Sequence, residues 1–441
     1  MKLKKIISLM LFILLAIPLS SGAEDIIKKD ELLTLQRCVE IALIRQPTIQ
    51  AGQNTVSASR SRVYEAQSNY YPQIGLSAGY SRIKPITGAQ RLVSTGISGT
   101  SAGNATNSFD QFAGSISLSQ NIWDFGKTSS QVDIQRFNLD ASSSNLETTI
   151  EQVVFNVKQA YYGVLQAQRN RVVAQDTVKQ FQLHLDQAKA FYEVGTHPKY
   201  DVTKAEVDLS NAKLALIRSE NTLKVSKVTL NNTIGVPDAP DYAVEDNLAY
   251  EKYEIELSQA IETAYKNRPD LKAAVATSRS FERSIDFAKT GYYPVLTGNA
   301  QYDRSDNVFF PSGEGWSAGV ALTFPIFNGF LTKHQVEEAK SNLGVAKANE
   351  ETLRQSILLD VQQAYLNLLV AGESISNTGL TVKQATENLD IANGRYAAGV
   401  GNPIEVSDAE VSLAVAKTAN NQALYDYKVA RASLERAMGV R

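Results

Sequence analysis

Apolar residues recur in two rhythms along this chain. Ile74, Leu76, Ala78 and Tyr80 alternate with Gly75, Ser77, Gly79 and Ser81. Period-two spacing predicts a β-strand with one apolar and one polar face. The alternation resumes at Phe112, Gly114, Ile116 and Leu118, again at Leu296, Gly298, Ala300 and Tyr302, and a fourth time from Trp316 to Phe324. Elsewhere the step is four and three. It runs Leu146, Ile150, Val153, Val157, Ala160, Val164 and Ala167, passes Arg171, and resumes at Ala174, Val178, Phe181, Leu185, Ala188 and Tyr192. A sustained seven-residue repeat keeps one seam against a partner helix and predicts a left-handed coiled coil. No proline interrupts Lys127–Val194, so the segment reads as one helix of about 67 residues, roughly 100 Å.

Gly195 and Pro198 turn the chain, because glycine suits the left-handed position past a helix end and proline stops continuation. A returning helix carries Val202, Ala205, Leu209, Ala212, Leu216, Leu223 and Leu230 and stops at Gly235-Val236-Pro237. Upstream, helical spacing covers Leu32 to Arg45. Pro47 opens a further helix to about Asn69, since its missing N–H is tolerated in a first turn. That helix is expected to stack end to end on the return helix, which covers only about half of the outgoing one.

The whole pattern is written twice. Leu35, Pro47, Tyr70, Tyr71, Pro72, Tyr80 and Arg82 return at an offset of 222 residues, and Ile122, Ala160, Tyr161, Tyr192, Gly195, Ala205 and Gly235 at an offset of 204. The 18-residue difference falls between Arg82 and Gln120, within the Gly/Ser/Thr-rich loop Ile83–Asp110. A unit this long is no solenoid repeat and predicts a duplicated half. The divisions expected are a leader at 1–23, a first repeat at 24–236, a linker at 237–254 and a second repeat at 255–441.

Lys2, Lys4 and Lys5, the apolar run Ile6–Ile17 and Ser21-Gly22-Ala23 form a secretory signal, too short to span a bilayer. The formal charge of the chain is −2, and loss of the three leader lysines makes it more negative. No basic stripe suggests nucleic acid. Cys38 is the single cysteine, so no intrachain disulfide is possible, and the three histidines are scattered. The sequence predicts no metal and no cofactor. It offers no nucleophile triad or compact acid pair, so no enzyme is expected.

Each strand is about ten residues, the length that crosses an outer membrane at a tilt. Taken alone, the strands fit a soluble antiparallel sheet equally well. In lipid, four strands cannot close a barrel and an open sheet leaves edge groups unpaired, so several chains would have to pool them. Trp123, Tyr70, Tyr71, Tyr292, Tyr293, Phe324 and Phe327 cluster at the strand–helix junctions and suit an aromatic belt at the inner interface.

The junctions Gln120-Asn121-Ile122-Trp123-Asp124-Phe125-Gly126 and Phe324-Pro325-Ile326-Phe327-Asn328-Gly329 carry a family resemblance. So do Val157-Lys158-Gln159-Ala160-Tyr161, its copy Val361-Gln362-Gln363-Ala364-Tyr365, and the two hairpin tips. In their duplicated order they make the chain resemble the TolC-type outer-membrane efflux proteins over residues 31–441. Asn121 departs from the usual Gln-Pro. The resemblance implies a mixed, mainly α fold with four β-strands per chain contributed to a transmembrane barrel, plus long coiled-coil hairpins. It implies a passive homotrimeric channel, the exit duct of a tripartite efflux or type I secretion system. The duct would sit in outer-membrane lipid, extend into the periplasm, and work with a periplasmic adaptor and an inner-membrane pump.

By motif position, Glu405 and Asp408 match the acidic ring of the pore constriction. An ordinary acidic first turn of a helix is the alternative. Asp201 and Tyr396 match a pair that latches the tips, and a hydroxyl donating to a carboxylate is sound chemistry. Tyr192 and Tyr396 are alternatively plain seam residues. The arginine that assists the latch falls at Gly401. Gly195, Thr196, Gly399 and Val400 are the candidate adaptor contacts. A structural or adhesive coiled-coil protein is the competing class. It accounts for the heptads but not for matched strands in duplicate.

Overall fold

The computed structural model describes residues 27–84 and 108–441. The expected leader, and all but the ends of the expected outer loop, lie outside these residues. A two-residue strand β1 (Leu32–Leu33) precedes helices α1 (Leu35–Arg45) and α2 (Pro47–Gln67). Strands β2 (Gln73–Ile83) and β3 (Phe109–Trp123) follow, then α3 (Lys127–Glu193) and α4 (Lys199–Thr233). After β4 (Ala243–Val244) the order recurs as α5 (Leu257–Asn267), α6 (Pro269–Lys289), β5 (Val295–Asp306), β6 (Gly313–Thr323), α7 (Leu331–Ala397) and α8 (Pro403–Ala437). Corresponding helices have equal lengths of 11, 21, 67 and 35 residues.

Leu32 and Leu33 do not join the first helix. Thr34 caps α1 by accepting from the Arg37 N–H at 3.2 Å. The two leucines extend and pair in parallel with Ala243 and Val244, and Leu33 is fully buried. A strand this short has no periodicity to read, and its partner lies two hundred residues away.

The chain forms two compact units. The first takes Gln46 and the described residues before it, Val153–Glu251 and Ala371–Val429. Its core is the predicted seam. Phe181, Leu185 and Ala188 of α3 pack on Ala205, Leu209 and Ala212 of α4. Leu389, Ala392 and Tyr396 of α7 pack on Val406, Ala409 and Leu413 of α8. Alanine at alternate seam positions allows close approach, and leucine fills the layers between. The Tyr161 hydroxyl donates to Glu245 O at 2.8 Å, tying α3 to the segment that follows β4.

The second unit takes Pro47–Gln152, Lys252–Val370 and Ala430–Arg441. It holds the four-stranded antiparallel sheet, in order β2-β3-β5-β6. Val63 and Ala66 of α2 pack on Val132 of α3. In the second repeat, α8 ends against the start of α6, as the stacking argument expects. A Cβ on Gly439 would lie 2.9 Å from Arg268 Cα, so only glycine fits there. Gly439 also has φ +66°, and its counterpart Gly235 has φ +78° and meets the Arg45 carbonyl at 2.9 Å in the same construction.

The hairpin tips and the membrane sheet

Both tips close by the same device. Gly195 (φ +76°) and Gly399 (φ +73°) take the left-handed conformation after α3 and α7. Thr196 N–H donates to Phe191 O at 3.0 Å and Val400 N–H to Arg395 O at 3.1 Å. These bonds satisfy helix-end carbonyls in the Schellman manner. A Cβ would meet nothing at either glycine. All four candidate adaptor contacts, Gly195, Thr196, Gly399 and Val400, are exposed, and Thr196 Oγ1 adds a 2.9 Å bond to Phe191 O.

Asp201 and Tyr396 both lie against His197 in the first unit. Tyr396 is 1% exposed, whereas its repeat counterpart Tyr192 is 45% exposed. Three rings surround Tyr396, with centroids at 5.2 Å (His184), 5.6 Å (Phe191) and 5.7 Å (His197). The Tyr396 hydroxyl is buried without a hydrogen-bond partner among the described residues. Burial, then the charge of Asp201, raise its pKa. Asp201 Oδ2 lies 2.9 Å from His197 Nδ1 instead. The structure therefore brings the two residues together by ring packing, with histidine holding the carboxylate.

Glu405 stands in the first turn of α8 and pairs with Arg395 Nε at 3.3 Å. Asp408, one turn on, is exposed and has no side-chain partner among the described residues. Gly401 has a steric reason to be glycine. A Cβ there would lie 2.8 Å from Tyr396 N and 2.9 Å from Arg395 C. Arg395 thus supplies the cation at this tip, from a position that motif matching did not assign.

A polar bridge between the hairpins was also invisible to pattern reading. Ser407 Oγ of α8 donates to Asp208 Oδ2 of α4 at 2.8 Å, and Lys204 Nζ holds the same carboxylate at 2.6 Å. Nearby, Glu410 is 5% exposed, and burial pushes its carboxyl up to about 7, against the pull of Lys417. His184 is buried beside these groups, and burial lowers its pKa.

The sheet shows the alternation predicted for it. Ile74, Leu76, Trp316, Val320 and Leu322 stand out on one face with exposures of 65–81%. Ser77 and Ser115 join by a 2.7 Å hydrogen bond on the other face. Among the described residues, strands β2 and β6 each pair on one side only, leaving two open edges. Eleven residues at roughly 3.3 Å, tilted about 40°, rise about 28 Å, the height of an outer-membrane apolar band. Trp123, Phe125, Tyr70, Tyr71, Tyr292, Tyr293, Phe324 and Phe327 are exposed at the helix-proximal end, and Phe125 stacks on Tyr293 with centroids 5.5 Å apart. No described helix is long and apolar enough to cross a membrane.

The sequence profile described as "Outer membrane efflux protein" matches residues 38–236 and 260–440, most of both repeats. The chain belongs to the outer membrane efflux protein family. Among its relatives is protein CyaE of Bordetella pertussis, 25% identical over 384 residues, spanning 86% of this chain and 78% of that one. Outer membrane protein TolC of Escherichia coli K12 is 24% identical over 421 residues, spanning 92% and 82%. The crystal structure of CusC superimposes with a TM-score of 0.79 at 17% identity, covering 96% of this chain and 95% of CusC. This efflux protein thus has the TolC-like fold, lies in the outer membrane and extends into the periplasm. It serves as an outer-membrane exit duct for efflux or secretion.

Proposed function

We propose that three copies of this efflux protein close a twelve-stranded barrel and act as the passive outlet of a pump in the inner membrane, joined through a periplasmic adaptor. The observation that carries this reading is the open sheet. Its β2 and β6 edges have no partner among the described residues, and each unpaired backbone group costs several kcal/mol in lipid. Two chains would supply eight strands and almost no lumen, whereas three leave an aqueous pore. Both repeats then act as equivalent halves of one wall segment, preceded by a leader at 1–23 that is removed on export.

The periplasmic entrance is assigned to the two tips. Gly195, Thr196, Gly399 and Val400 form the surface offered to the adaptor. The Tyr396 cage with Asp201 and His197 is the latch, and Glu405 with Asp408 forms the acidic constriction. Threefold repetition would give six carboxylates. Arg395 offsets Glu405, so Asp408 supplies most of the unbalanced charge that attracts cations. Single-channel recording in planar bilayers tests this. Asp408→Ala is expected to reduce cation selectivity and block by multivalent cations more than Glu405→Ala does. Unchanged selectivity in the double variant would remove the constriction from these residues.

A further inference from the structure

The end of the sheet remote from the helices carries a matching quartet in both repeats: a tyrosine, an arginine, a second aromatic ring and an acid. In the first, Tyr80 and Arg82 of β2 lie across from Phe112 and Asp110 of β3. In the second, Tyr302 and Arg304 of β5 lie across from Trp316 and Glu314 of β6. Tyr80 donates to Asp110 Oδ1 at 2.9 Å, and Tyr302 donates to Glu314 Oε2 at 2.8 Å. The arginines approach the same oxygens only at 3.8 and 3.6 Å. Exposed pairs this long contribute little to stability.

Alternation places the quartets on the face that carries Ile74, Leu76, Val320 and Leu322, which in an outer-membrane barrel is the lipid face. Aromatic residues thicken at this level. Phe112 contacts Tyr80 at 4.9 Å and Phe309 at 5.5 Å between centroids, and Phe310, 83% exposed, packs on Phe309. Aromatic rings gather where acyl chains meet headgroups. Arg82 and Arg304 stand one strand step further out on the same face, with side chains 64% and 52% exposed. Arg82 has only Asp110 and the Tyr80 hydroxyl beside it among the described residues, and Arg304 only Glu314. A guanidinium has five N–H donors in a fork that fits phosphate oxygens. Each arginine therefore presents unused donors at the depth where the outer leaflet, built of phosphorylated glycolipid, places its phosphates.

We propose that Arg82 and Arg304 bind the phosphate groups of an outer-leaflet glycolipid, with the neighbouring rings packing on its proximal acyl chains. The two sites are unequal. Lys84 follows Arg82 two residues on, so the first cluster has two cations against Asp110. The second sets Arg304 against Glu314 and Asp306, which follows it two residues on. The first site therefore binds more tightly.

Native mass spectrometry of the assembled, detergent-purified protein tests the assignment. The probes are hexa-acylated bisphosphoryl lipid A and its dephosphorylated form. Wild type is expected to prefer the phosphorylated lipid. Arg82→Gln should weaken its binding by about fivefold, the order expected for one basic side chain at an anionic headgroup layer. Arg304→Gln should weaken it less, and Arg82→Lys should retain part of the affinity. Ser77→Ala, on the opposite face, should change nothing, and retained heat resistance of each oligomer would show that assembly is intact. Equal affinity for the two lipids, or unchanged affinity in Arg82→Gln, overturns the proposal. Complete competition by millimolar inorganic phosphate also overturns it, because the site would then serve free phosphate and not lipid.

Discussion

Substitutions at Tyr396 separate two ways in which this tip could be held shut. The ring is fully buried against His184, Phe191 and His197, while its hydroxyl has no partner among the described residues. Removing a buried aromatic side chain costs about 3–5 kcal/mol. Tyr396→Ala should therefore favour the loosened tip by about two to three and a half orders of magnitude. Tyr396→Phe keeps the ring and removes an unsatisfied buried hydroxyl, a group whose burial costs about 1–3 kcal/mol. It should leave the tip unchanged or tighten it. Hydrogen exchange over Leu389–Leu413 in the assembled protein, at fixed pH, reads the equilibrium directly. Single-channel conductance reads its consequence. Tyr396→Ala is expected to exchange faster and conduct more, and Tyr396→Phe to match wild type. If Tyr396→Phe opens the channel as far as Tyr396→Ala does, the packing account fails and the hydroxyl must carry a bond in the assembled state, with Asp201, whose charge already acts on it, the acceptor to consider.

Glu410 makes the tip more stable in mild acid. Burial raises its folded-state pKa to about 7, so its contribution is complete below its ordinary carboxyl range and is lost as pH rises through about 7. The swing is at most about 3 kcal/mol, and Glu410→Gln should flatten heat stability between pH 5.5 and 8. His184 acts in the opposite direction. Its lowered pKa means that stability present above the ordinary histidine value is lost as pH falls through the folded value, so His184→Gln should improve heat resistance at the acid end. Gly401→Arg, which restores the cation that the family pattern places there, should loosen the tip by about 1–3 kcal/mol through overpacking against Arg395 and Tyr396, measured by the same exchange experiment. Gly235→Ala and Gly439→Ala should lower thermal stability more than Gly195→Ala. All three have positive φ, but only the first two would drive a methyl into backbone at 2.9 Å.

Periodicity carried most of the fold. The 67-residue helices, their seam residues and the four strands follow from spacing alone, because the contacts that bury Ala188 or Leu209 recur at fixed intervals. Reading failed where a partner lies far away in sequence and the segment is short. Leu33 needed Val244, and nothing in the spacing of Tyr161 announced its bond to Glu245. At the tips, motif position put Asp201 beside Tyr396 but could not foresee that His197 would occupy the carboxylate. The Ser407–Asp208 bridge and the Arg395–Glu405 pair depend on how two hairpins and one turn are oriented. The repeat itself misled in one respect. Tyr192 and Tyr396 occupy equivalent positions, yet only the second is enclosed.

Within the sheet, the β3–β5 contact already joins one half of the duplication to the other, and it does so by antiparallel pairing that slips register only between Asn121 and Trp123. In the proposed trimer, the joint between β6 of one subunit and β2 of the next has only to imitate it. Covalent continuity between the halves is therefore not required by the wall itself, and a gene encoding a single half could, with twice as many subunits, have made the same cylinder. Fusion would then have gained the freedom to let the halves diverge, so that one tip keeps its tyrosine in the open while the other encloses it.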